Sequence, residues 1–197
     1  MSATPNKVQF GLKNVHYAVV TETPDAQTGE ITSTYGTVKA WPGAVSITVS
    51  SDAEQNNFYA DDAAYYTTNG ALVYSGELET AMIPEDVETS VLGHTKDSKG
   101  MIYEKSDDVT KYIALLFEFN GDQGATKHAL YRVMLSRPST EGSTSEDSVT
   151  VNTQKVSFTA SARPDDGLCK SKMGPDGDAT EYAAWYTSVQ VPYTSGT

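Results

Sequence analysis

The side chains with the greatest capacity for chemistry are scattered along the chain. Three histidines, His16, His94 and His128, lie far apart and share no metal-ligand spacing. Structural roles are expected for all three. A single cysteine, Cys169, stands between Leu168 and Lys170. Lys170 and Lys172 would favour its thiolate, but no histidine lies near it in sequence to act as the base that a nucleophile requires. Acidic pairs offer more. Asp61 and Asp62, Asp107 and Asp108, and Asp165 and Asp166 are paired carboxylates of the kind that can ligate a divalent cation. Consecutive residues of a strand point to opposite faces, so such neighbours seldom converge. The run Asp176, Gly177, Asp178 lacks the remaining ligands of a calcium loop. Solvated turns are therefore expected at these places, ahead of a calcium site. The chain contains no GxxxxGKS/T, no GxGxxG, no GxSxG and no HExxH. No catalytic set, metal site or cofactor is expected.

Composition narrows the function classes further. The 197 residues are 38% hydrophobic, and the polar excess lies in Ser, Thr, Asn and Gly, which implies loops or a large wetted surface. The net charge of −12 repels phosphate backbones, so ordinary nucleic-acid binding is not expected. One cysteine allows no intrachain disulfide, which suits a reducing cytoplasm. The first fifteen residues show no signal-peptide pattern, and the longest apolar run, residues 113–117, is too short to span a bilayer. A soluble protein used without secretion or membrane attachment is expected.

The elements that must position any site read mainly as strands. Twelve tyrosines and frequent Val and Thr favour them. Residues 15–20 form a first strand, followed by a polar turn over 23–33. Residues 43–50 alternate, with Val45, Ile47 and Val49 on one face and Ser46, Thr48 and Ser50 on the other. Residues 51–62 break the pattern and read as a long loop or the tip of a hairpin, with Phe58 and Tyr59 embedded among Asp52, Glu54, Asp61 and Asp62. A short strand resumes at 65–68. Residues 72–81 alternate again, with Glu77 and Glu79 on the face opposite Tyr74 and Leu78. Pro84 followed by two acids predicts a short helix that runs to Leu92 and stops at Gly93. Residues 111–119 are the most apolar strand, with Ile113, Leu115, Phe117 and Phe119 facing one way, and 129–136 is its natural antiparallel partner. Residues 138–148 read as a flexible loop. Residues 149–162 hold a strand or strand pair with Val156, Phe158 and Ala160 inward. A turn-rich stretch covers 165–177, and Asp178 resembles a helix cap. Residues 182–188 read as a short helix or an aromatic strand, and 189–197 as a loose tail. About eight strands and one or two helices predict an antiparallel sandwich.

Glu77 and Glu79 admit two readings. The polar face of a half-buried strand normally meets bulk water. In a ring-forming protein the same face could line a channel. The residues alone favour bulk water.

Several segments together resemble the major tail proteins of phages with long, non-contractile tails. They are residues 7–18 (KVQFGLKNVHYA), 41–47 (WPGAVSI), 58–62 with Tyr65 and Tyr66, 74–79 (YSGELE), 83–93, 114–118 (ALLFE) and 130–132 (LYR). They keep their order over roughly residues 6–164; Trp41 departs from the aliphatic residue expected there. The resemblance implies an antiparallel β-sandwich flanked by a short α-helix, with a long hairpin loop and extended termini. The sandwich would occupy 1–164, with its long loop at 51–62, and 165–197 would be a carboxyl-terminal extension packed on the same domain. Such proteins form hexameric rings that stack around a tape-measure protein, with tail terminator and tail-tip proteins at the ends, and DNA later passes through the lumen without specific binding. The resemblance thus implies a virion tail subunit assembled in the host cytoplasm. It turns Glu77 and Glu79 toward the lumen, and Asp52, Glu54, Phe58, Tyr59, Asp61 and Asp62 toward a neighbouring subunit. The competing functions are a monomeric Ig-like sandwich that binds carbohydrate or a cell surface through Tyr and Trp, and a metal-dependent hydrolase or nuclease.

Overall fold

Alternation and two-sided burial decide which strands lie where. The computed structural model describes residues 11–52, 55–60, 63–121, 124–139 and 152–192, with 55–60 and 63–69 described as backbone alone. In chain order the elements are β1 (Leu12–Pro24), β2 (Ile31–Tyr35), β3 (Lys39–Ala40), β4 (Ala44–Ser51), β5 (Gln55–Ala60), β6 (Ala63–Asn69) and β7 (Val73–Thr80). There follow α1 (Glu85–Ser90), β8 (Thr95–Lys96), β9 (Ile102–Tyr103), β10 (Ile113–Phe119), β11 (Lys127–Leu135), β12 (Gln154–Ser161), β13 (Lys170–Met173) and α2 (Ala179–Ala184).

The main sheet runs β2-β1-β10-β11-β12-β7-β4, with β3 added to β1 and β13 to β11, and every pairing is antiparallel. It folds over so that β4 lies against β1. The fold is mainly β, and its antiparallel sheets and two short helices are those of a β-sandwich. The main core fills the interior with Tyr17, Trp41, Leu78, Ile113, Leu115, Val133 and Phe158, and α1 contributes Val87. Trp41 is not a misfit: its ring is buried and stands edge-on to Tyr17, with centroids 5.9 Å apart. A second cluster joins Leu116, Ala129 and Tyr131 to Trp185 beyond α2, on the other face of β10 and β11.

Several expectations change. Strand β10 is buried on both faces, because Leu116 meets Trp185 while Leu115 meets the main core. The turn expected over 23–33 is shorter: β1 continues to Pro24 and β2 begins at Ile31. Asp25 makes the tight turn by accepting from the backbone N–H groups of Gln27 and Thr28. Of the two readings of 51–62 the hairpin is found and the long loop is not, since β5 and β6 pair with one another. Val45 does not share the inward face of Ile47 and Val49; a bulge between Ala44 and Ser46 leaves it half exposed. The turn-rich stretch 165–177 includes β13, which pairs with β11. The aromatic-strand alternative for 182–188 falls, because helix α2 starts at Ala179, where the Asp178 carboxylate accepts from the N–H groups of Thr180 and Glu181. Nor is 189–190 a loose tail: Val189 packs on the second cluster and the Gln190 carbonyl accepts from the Tyr131 hydroxyl. The stretch 138–148, expected as a loop, falls largely outside the described residues, as do 193–197.

One glycine is required by packing. Gly76 of β7 lies opposite Phe158, and a Cβ placed on it would sit 2.2 Å from the Thr48 carbonyl oxygen and 2.3 Å from Cζ of Phe158. Both neighbours are fixed, one as backbone and one as a buried ring. Gly76→Ala is therefore expected to cost about 1–3 kcal/mol or more, as overpacking does. Chemical denaturation would read this as a lower midpoint at unchanged slope. A midpoint equal to wild type would show that β4 and Phe158 can give way.

Candidate functional site

The residues with capacity for chemistry are engaged in folding. His16 stacks on Tyr186, and His128 stacks on Phe117 and meets Phe119 edge-on. His94 is 3.9 Å from Glu104. Cys169 is buried, and burial pushes its thiol up; Lys170 opposes this only as the smaller influence. The expectation that the lysines favour a thiolate is thus corrected, because desolvation outweighs a neighbouring exposed amine. Among the described residues, acidic side chains of these places serve turns and a helix cap. Asp108 accepts from the Lys105 N–H, and Asp178 caps α2. Asp165 and Asp166 both pair with Arg163, whose side chain is buried. Asp165 also accepts from the Ser33 N–H at 3.1 Å, which ties this turn to β2. Among the described residues no three His, Cys, Asp or Glu side chains gather as metal ligands, and no helix is long and apolar enough to cross a membrane. Asp61 and Asp62 lie outside the described residues.

The distinctive surface is the outer face of β4, β7 and β12. Alternation puts Leu78 and Phe158 inward and leaves polar side chains outward. In register, Ser75 lies between Ser50 and Thr159, Glu77 between Thr48 and Ser157, and Glu79 between Ser46 and Lys155. Six hydroxyls thus share this face with two carboxylates and one amine. Glu79 accepts from the Thr153 hydroxyl at 2.6 Å and the Ser46 hydroxyl at 3.0 Å, and these bonds hold its carboxyl below the usual range. Glu77 pairs with Lys155 at 3.3 Å, with both side chains about half exposed. Lys155 was not singled out in the sequence. The signal for it was present, because Lys155, Ser157 and Thr159 alternate with the inward residues Val156, Phe158 and Ala160.

The residues expected to face a neighbour fall in and around the hairpin. Asp52 is exposed, and its N–H bonds the Val73 carbonyl at 2.9 Å, which fixes the base of the arm. Phe58 and Tyr59 lie on β5, opposite Tyr66 and Ala64 of β6. Glu54 lies outside the described residues, with Asp61 and Asp62. Strands β5 and β6 pair with each other and not with the main sheet.

A family model described as "Phage tail tube protein" matches residues 6–190. No curated protein matches the chain. Among solved structures, one similar chain belongs to a six-fold symmetrised cryo-EM structure of the anti-feeding prophage baseplate. Identity is 11%, the match covers 89% of this chain and 99% of that one, and the TM-score is 0.33. A likeness that distant speaks neither to the fold nor to the role.

The Arg163 cluster can be tested by pH. Hydrogen bonds from Arg163 hold the Asp165 carboxyl far below the usual carboxylate range. A group whose folded pKa is depressed adds stability that is complete above its unfolded pKa, about 4, and lost as pH falls toward the folded value. Asp165→Asn is expected to lower stability by about 1–3 kcal/mol at pH 7, since it removes the nearer of the two carboxylates that serve a buried guanidinium. The gap from wild type should narrow steadily below about pH 4. Urea melts across pH 3–7 would check it, and a gap independent of pH would reject this account of the pair.

Proposed function

The chain belongs to the phage tail tube protein family and is a structural component of a phage tail; from that premise we propose that it is the repeating subunit of the tube. Six copies would close into a ring, and rings would stack around a tape-measure protein, with terminator and tip proteins at the ends. Assembly would take place in the host cytoplasm, and DNA would cross the finished lumen without specific binding. On this reading no residue acts as a catalyst. The observation that carries it is the hairpin β5–β6, which pairs with itself away from the main sheet and contains Phe58 and Tyr59. An arm of that kind serves an isolated sandwich poorly and an assembling one well, because aromatic anchors often dominate interface energy. The outer edge of β4 supports the same reading, since it has no strand partner among the described residues. Residues 165–190 would belong to the same unit as the sandwich.

Electron microscopy of the concentrated protein is expected to reveal hollow tubes, with smaller species on dilution. The double change Phe58→Ala and Tyr59→Ala should leave the subunit folded by circular dichroism yet unable to form tubes. Wild type that stays monomeric at every concentration, even when nucleated, would refute the tube. Normal tubes from the double variant would refute the anchoring role.

The wall of the lumen is assigned to the outer face of β4, β7 and β12, with Glu77 and Glu79 toward the channel. Lys155 offsets Glu77, so the face carries modest negative charge among hydroxyls that hold water. Such a wall repels phosphate weakly and offers it no cationic foothold beyond a paired lysine. Changing Glu77 and Glu79 to Lys should permit tube assembly but slow DNA ejection from virions carrying the variant. Ejection at the wild-type rate from intact particles would remove these residues from the wall.

A further inference from the structure

Strand β11 divides one of its edges between two partners. Residues 133–135 pair with β12, and residues 127–130 pair with β13. Past this fork β12 leaves with β7 and β4, while β13 stays with β11. An apolar groove opens between the two branches. It holds a cavity of about 240 Å³ lined by Ile47 and Val49 of β4, Phe117 and Phe119 of β10, Leu130 of β11 and Lys170 of β13. Ile47, Val49 and Phe119 are only partly buried against the core. Lys170 and Lys172 are exposed on β13, and the far edge of β13 has no strand partner among the described residues.

The chemistry of the groove specifies its occupant. Apolar walls favour aromatic or aliphatic side chains that displace water. Two exposed lysines favour carboxylates, and a free strand edge favours an extended backbone. This chain carries such a segment. No lysine or arginine falls between Lys39 and Lys96. Within that acidic stretch, hairpin β5–β6 has Phe58, Tyr59, Tyr65 and Tyr66 on its strands and Asp61 and Asp62 between them in sequence. In its own subunit the hairpin is anchored at the ends of β4 and β7 and pairs with itself.

We propose that the groove between β4 and β13 receives the β5–β6 hairpin of a second copy of this chain, with Lys170 and Lys172 meeting the carboxylates of that hairpin. The proposal rests on the tube reading and adds the surface on which the arm lands. Donor and receiver are different surfaces, so the contact is heterologous and propagates from copy to copy.

Carbodiimide coupling joins a carboxylate to an amine in contact with it, and can be applied to the full-length protein. A mixture of isotope-labelled and unlabelled chains separates links between copies from links within one. Concentrated wild type is expected to yield links between copies from Asp61 or Asp62 to Lys170 or Lys172. The variant K170E/K172E should lose them and need about tenfold more protein to assemble. Adding D61K/D62K to that variant should restore assembly. Lys172 is exposed, whereas the Lys170 amine also lies 4.4 Å from the centre of the Tyr74 ring, so the melting curve of K170E/K172E is recorded beside wild type, and the wild-type links decide the matter whatever it shows. Tubes that form without these links, or that form equally well from K170E/K172E, would overturn the groove and leave the tube reading standing. Links found only within one copy would assign the groove to the subunit's own hairpin and overturn the proposal. Protein that never self-associates would end both readings.

Discussion

Strands β10 and β11 present apolar side chains on both faces, and neither face can be left to water. The inner face is met by the folded-over branch of β12, β7 and β4 and by Val87 of α1. The outer face is met by the carboxyl-terminal residues, whose Trp185 covers Leu116, Ala129 and Tyr131. Burying a side chain the size of Trp185 stabilises by several kcal/mol, about 3–5 by the usual cost of truncation. The cover is also held by polar contacts. The amine of Lys127 donates to the Tyr182 carbonyl at 2.7 Å and lies 3.8 Å from the centre of the Tyr182 ring. Desolvation lowers the pKa of this lysine, and the tyrosine face and carbonyl repay part of that cost. Residues well beyond the sandwich strands are thus part of its core.

The same constraint decides where the molecule stays wet. With β10 and β11 covered on both sides, alternation survives on β7, on β12 and on β4 past its bulge, which have a core on one side only. Their outer positions are mostly Ser and Thr, residues that suit a strand and hold water without long flexible charges. Gly76 is the cost of closing this branch over Phe158, since the ring occupies the space a side chain would need. Polar face, glycine and buried phenylalanine are one arrangement seen from two sides.

Strands with clean alternation were legible in the sequence. Residues 72–81 and the inward trio Val156, Phe158 and Ala160 lie where period two places them. Helix α1 was legible from Pro84 and the acids after it, and the Asp178 cap from its side-chain chemistry. Other elements were hidden for physical reasons. The far half of β1, with β2, is exposed and polar, so no apolar period announces it. Strand β13 is four residues long with Lys at alternate positions, and only its pairing with β11 makes it a strand. The two-sided burial of β10 depends on Trp185, nearly seventy residues away in the chain, and no local window contains it. At the site, Glu77 and Glu79 were legible as sharing one face. The outward position of Lys155 was legible from alternation, but its place beside these two was not, because cross-strand register is a property of the sheet and not of either strand.

The charge distribution constrains assembly as firmly as shape does. Copies with a net charge of −12 repel at range, which opposes indiscriminate contact between exposed sheet edges. That repulsion fades beyond about 8 Å at physiological salt, so it sets a threshold and not a prohibition. The acids and amines are also unevenly placed. No lysine or arginine lies between Lys39 and Lys96, whereas β13 alternates two lysines. Two copies that approach acid to acid gain nothing, and two that approach acid to amine gain attraction where the apolar groove is open. Unlike surfaces are thereby favoured over like ones. A contact between unlike surfaces leaves one of each free on every growing assembly, and that asymmetry is what a ring or a stack of rings requires and a closed dimer does not.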